Sequence, residues 1–160
     1  MAVSKEVLNQ YTDLRKEITE TKEKIEKLET QIDRLERRIA EIEDGELVKD
    51  KVKGGLGGVQ HFNIEGIPTK EYQHKKMELY TKKNLLESRK DILKSLELEI
   101  LRQLSDVEDF IRQISDSHIR RIVSLRVVNG LSWNEVADNI GGGNTEGSVK
   151  MAFQRFLEKN

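Results

Sequence analysis

A chain of 160 residues with 36% charged side chains, 5% aromatic ones and a single proline, Pro68, has the makeup of long solvated helices rather than of a compact α/β core. It has no cysteine, which excludes disulfides and thiolate zinc sites and fits a reducing compartment. The net charge of −1 announces no partner, no apolar run approaches the roughly 20 residues of a membrane span, and Met1–Lys5 leads into no signal segment.

The first predicted element is a long helix ending at Asp44-Gly45. Tyr11, Ile18, Ile25, Ile32 and Ile39 recur every seven residues. Val7, Leu14, Thr21, Leu28, Leu35 and Ile42 fill the companion position. A seam two residues wide per heptad, flanked by Lys, Glu and Arg, is the pattern of a coiled coil.

Residues 45–69 break that pattern. The glycines of Val52–Val59 cannot hold a helix, since each costs about 1 kcal/mol there. Val59–Glu65 alternates enough to suggest a short strand or hairpin, closed by Pro68.

A second long helix runs from about Thr69 to Ile114. Tyr72, Leu79, Leu86, Leu93, Ile100 and Val107 mark its seam. The companion positions are more polar: Lys75, Lys82, Arg89, Leu96, Gln103 and Phe110. Two helices of similar length joined by a loop fold back most simply as an antiparallel hairpin, while Ile and Leu in alternation also suit a parallel homodimer through the first helix. Between Lys70 and Lys90, seven basic residues outnumber three acidic ones. That stretch is either a basic patch or, the preferred reading, a solvated helix face.

The C-terminal segment reads as three short helices. Ser115-Asp116 can cap a helix over His118–Val128, which Asn129-Gly130 ends. Ser132 and Glu135 have the spacing of a capping box for a helix over Trp133–Ile140. Gly141–Asn144 is a turn, and Thr145 caps a last helix, Glu146–Glu158. Val136, Ala137, Ile140, Val149, Phe153, Phe156 and Leu157 take the inward positions. A short helix, a Gly-containing turn and a second helix with polar N-terminal residues form the DNA-reading helix-turn-helix pattern; a plain three-helix packing unit shares its capping chemistry. The candidate DNA-binding residues are Thr145, Glu146, Ser148, Lys150, Met151, Gln154 and Arg155. Gln and Arg can pair with base edges, and Lys and Ser suit phosphates. From Asp116 to Asn160 six basic residues face five acidic ones, so the module is nearly neutral.

The string Ile122–Arg126 through Gly130-Leu131-Ser132-Trp133-Asn134-Glu135-Val136-Ala137 resembles region 4 of bacterial sigma factors, as does Glu146-Gly147-Ser148-Val149-Lys150 with Arg155. The resemblance covers about a quarter of the chain, and the Gly141–Asn144 turn is about two residues longer than that family's. As a whole the chain is similar to phage and prophage late-gene activators of the ArpU/RinA type. That similarity implies a cytoplasmic transcription regulator in a bacterial host, acting on promoter DNA and with RNA polymerase.

Other chemistry finds little footing. His61, His74 and His118 lie too far apart in sequence to share a helix face, and no Cys completes a zinc set. Gly54–Gly58 lacks the Gly-Lys-Ser/Thr ending of a phosphate loop. No nucleophile–base constellation stands out, so no enzyme, cofactor or metal is expected. The sequence therefore predicts an all-α protein: a long antiparallel coiled-coil helical hairpin over 1–114 with a Gly-rich connector at 45–68, and a three-helix helix-turn-helix over 115–160. A small terminase subunit, which would form rings, and a protein-interaction module that never touches DNA are the alternatives.

Overall fold

The computed structural model describes residues 5–44, 48–54, 60–66 and 69–159, with side chains for 5–44 and 69–159. Helix dominates. Helix α1 spans Lys5–Glu43 and helix α2 spans Thr69–Gln113. Strands β1 (Val48–Gly54) and β2 (Gln60–Gly66) pair antiparallel between them, in a register that sets Val48 opposite Gly66 and Gly54 opposite Gln60. Three short helices complete the chain: α3 (Ser117–Val123), α4 (Trp133–Ile140) and α5 (Glu146–Lys159). Among the described residues no helix is long and apolar enough to cross a membrane.

Two compact units divide the chain. One is continuous, Glu23–Asp91; the other joins Met1–Lys22 to Ile92–Asn160. The sequence boundary at 114/115 falls inside this second-named unit, because its core draws on α1 and α2 as well as on the short helices.

In the unit Glu23–Asp91, Ile25, Leu28, Ile32, Leu35, Ile39 and Ile42 of α1 are all buried, as their heptad spacing predicts. Their counterparts on α2 are fewer, with Leu86 the buried one. Ion pairs flank the seam: Glu29–Lys90 at 3.0 Å, Glu36–Lys83 at 2.6 Å and Glu43–Lys76 at 3.3 Å. The partners climb one helix by heptads while descending the other, so the two segments run antiparallel. The seam cations of α2 also find acceptors. Lys82 Nζ donates to Gln31 Oε1 at 3.0 Å, and Arg89 Nη1 to the Lys24 carbonyl at 3.3 Å. Thus most of the cationic Lys70–Lys90 stretch is engaged with α1, and its preferred reading as a helix face gains a specific form. At the loop end, the Tyr72 hydroxyl donates to Glu43 Oε1 at 2.7 Å. That bond, seconded by Lys76, holds the Glu43 carboxyl below its ordinary pKa.

Among the described residues, three clusters stand out in the other unit. Leu14 and Ile18 of α1 pack with Leu96 of α2, and the Thr21 hydroxyl donates to the Glu17 carbonyl at 2.7 Å. Leu8 and Tyr11 of α1 meet Val107 and Ile111 of α2, Ile114, and Val123 and Val127 beyond. Here the heptad reading needs correction: Leu8, not Val7, is the residue buried to 1% exposure, and Val7 is only half-buried. A helix that packs on several neighbours needs a wider apolar stripe than a two-helix seam, so both positions are used. The third cluster, Ile122, Val136, Ala137 and Val149, holds α3, α4 and α5 together.

Candidate nucleic-acid interface

The short helices are set by their caps. Asp116 Oδ1 accepts from the His118 and Ile119 amides at 2.8 and 3.3 Å, which starts α3. The helix expected over His118–Val128 begins as α-helix and ends differently: Ser124–Val128 is wound as a π turn. The Asn129 amide returns to the Ser124 carbonyl, and Leu131 to Leu125, both at 3.1 Å. Gly130, at φ +69°, makes the reversal.

Helix α4 opens on a complete capping box. The Ser132 amide donates to Glu135 Oε2 at 2.7 Å, and the Glu135 amide to Ser132 Oγ at 3.3 Å. The Ser132 amide foremost, and the Ser132 hydroxyl donating to the same oxygen at 2.8 Å, hold the Glu135 carboxyl below its ordinary pKa. Gly141, Gly142 and Gly143 then follow one another at φ +70°, +66° and +78°, a run that side-chain-bearing residues adopt only with strain. The Asn144 amide group closes the turn by donating Nδ2–H to the Gly141 carbonyl at 2.6 Å.

Helix α5 starts on a second reciprocal cap. The Ser148 amide donates to Thr145 Oγ1 at 3.2 Å and the Thr145 amide to Ser148 Oγ at 2.9 Å. Two of the seven candidate residues therefore anchor the helix end. The other five, Glu146, Lys150, Met151, Gln154 and Arg155, are exposed along α5. Its opposite face is fixed: Val149 is fully buried, Phe153 meets the Trp133 ring edge-on at 5.3 Å, and Phe156 lies 6.2 Å from Phe110. Trp133 is thus a wedge between helices, with the Arg126 guanidinium stacked 4.6 Å from its ring centre.

Arginines of this unit have a use that charge counting misses. Arg120 donates to the Ile114 carbonyl at 3.1 Å, Arg121 to Asn139 at 3.1 Å and Arg126 to Leu131 at 2.6 Å. Each binds a carbonyl at or just beyond a helix end, where backbone acceptors lack intrahelical donors. Half of the six basic residues counted from Asp116 onward are committed in this way. The remaining three, Lys150, Arg155 and Lys159, all lie on α5, exposed and without a hydrogen bond or ion pair among the described residues. An exposed helix face with free cations and a central Gln154 can meet phosphates and base edges.

His74 and His118 are exposed, and the side chain of His61 lies outside those described. Among the described residues no group of His, Asp and Glu is arranged to hold a metal ion.

No family model, curated protein or solved structure matches the chain.

Proposed function

We propose that the chain is a DNA-binding transcription regulator of phage or prophage origin, an activator of late genes that works with host RNA polymerase in the bacterial cytoplasm. Helices α4 and α5 act as a helix-turn-helix of the sigma-region-4 kind, with α5 as the reading helix. Helices α1 and α2 serve as a coiled-coil hairpin that carries it. Lys150 and Arg155 meet phosphates or guanine edges, Gln154 an adenine edge, and Met151 a thymine methyl. One observation carries the reading: the three cations of the C-terminal segment left unengaged among the described residues share α5, whose other face is locked into the core.

Selection from a random-sequence duplex pool tests it, because no operator need be assumed. The expected result is an enriched sequence whose binding falls with salt and is lost in Gln154→Ala with Arg155→Ala. Binding that ignores both substitutions would refute the assignment of α5. Sedimentation separates the packaging alternative: a monomer or dimer is expected here, and a closed ring would favour a terminase subunit.

A further inference from the structure

Arg15 lies on α1, more than a hundred residues from the reading helix, yet in the same compact unit. Its Nη1 donates to the Val127 carbonyl at 3.4 Å and its Nη2 to the Asn129 carbonyl at 3.2 Å. These carbonyls close the π turn, where backbone acceptors have no helical donor left and a cation is favoured. The guanidinium also lies close to Gly130. A Cβ placed on that glycine would stand 2.7 Å from Nη2 and 2.8 Å from Cζ of Arg15. Gly130 is favoured by its φ of +69°, and a Cβ there would also displace the Arg15 guanidinium from its place.

The reader begins directly after this glycine. Leu131 is held by its amide to Leu125 and by its carbonyl to Arg126. Ser132, next in line, opens the capping box of α4. A shift of the Asn129–Gly130 turn therefore moves the first residue of α4, and α4 carries α5 through Val136 and Val149.

We infer that Arg15 is a positioning residue of the DNA reader, so that the N-terminal part of α1 completes a module the sequence places wholly at the C-terminus. The inference rests on the DNA-reading proposal for its functional consequence and on the geometry alone for its structural one. Arg15 touches no base or phosphate in this role; it acts through the turn that aims α4 and α5.

The test uses the full chain with Arg15→Gln, Arg15→Lys, Gly130→Ala and the Arg15→Gln/Gly130→Ala pair. Amide exchange over residues 129–135 and binding to the selected duplex are both read. Arg15→Gln is expected to speed exchange in that segment and to weaken binding about tenfold, the scale of one lost charge-assisted hydrogen bond. Arg15→Lys, which keeps the charge but not the forked donors, should fall between. Gly130→Ala should harm the wild-type background more than the Arg15→Gln background, because the clash with the guanidinium is gone. Unchanged exchange in Arg15→Gln, or strictly additive effects in the pair, would overturn the inference. If the unsubstituted protein binds no duplex, the DNA-reading proposal fails, while the exchange results still decide whether Arg15 holds the turn.

Discussion

The same two long helices are closed by different means in the two compact units. Within Glu23–Asp91 a narrow apolar seam, one-sided in its quality, is flanked by exposed ion pairs a heptad apart. Within the unit that holds the C-terminus, α1 and α2 join a broader cluster in which Val107 and Val123 lose all contact with water, as Ile122 and Val136 do in the cluster of α3, α4 and α5. Cations differ in emphasis rather than in kind, since Arg89 also meets a backbone carbonyl and Lys22 pairs with Glu97 at 3.2 Å. Lysines of α2 meet carboxylates of α1 at the surface, whereas Arg15, Arg120, Arg121 and Arg126 bind backbone carbonyls at helix ends. The dense run of lysines on α2 is therefore largely engaged within the fold. The nearly neutral segment leaves Lys150, Arg155 and Lys159 of α5 without a hydrogen bond or ion pair among the described residues.

That contrast can be broken from either side. The largest effect is expected for Ile122→Ala, at the centre of α3, α4 and α5: a loss of about 2–5 kcal/mol in denaturant unfolding. Next comes Gln103→Leu. Its Oε1 is buried without a hydrogen-bond partner, although its Nε2 donates to Glu99 at 3.3 Å. Replacing it by an apolar side chain is expected to stabilise the protein by about 1 kcal/mol, and destabilisation would mean an unrecognised acceptor role. Ser132→Ala should cost about 1 kcal/mol through the lost cap.

The partner of that serine adds a pH dependence of known sign. The Glu135 carboxyl is held below its ordinary value in the folded state, so its contribution is complete above the unfolded pKa. It is lost as pH falls through the folded pKa, and Glu135→Gln should flatten that part of the stability profile. The smallest effect belongs to Lys83→Ala. Its 2.6 Å pair with Glu36 is about half exposed at both ends, and removal should cost less than about 1 kcal/mol, with added salt shrinking the difference.

Much of the fold was legible because it is local. Heptad spacing marks the buried face of α1, and Asp116, Ser132 and Thr145 mark helix starts through bonds that reach only two or three residues. The π turn was not legible, since Val123 and Val127 have a spacing that an α-helix also satisfies. Arg15 was hidden for another reason. At the sequence level it is one of many charged residues between seam positions, and its partners Val127 and Asn129 are brought to it only by tertiary packing. The candidate site was legible as a face: Lys150, Met151, Gln154 and Arg155 are exposed together on α5. The engagement of Arg120, Arg121 and Arg126 with carbonyls could not be read from charge.

The most direct measurement is the salt dependence of binding to a fluorescent duplex, taken from the selected pool, for wild type, Lys150→Ala and Arg155→Ala. Affinity is expected to fall with salt on a log–log line, with the slope reduced by about 1 for a substitution that removes a phosphate contact. No binding at low salt, or a slope that neither substitution alters, would contradict α5 as the surface that meets DNA.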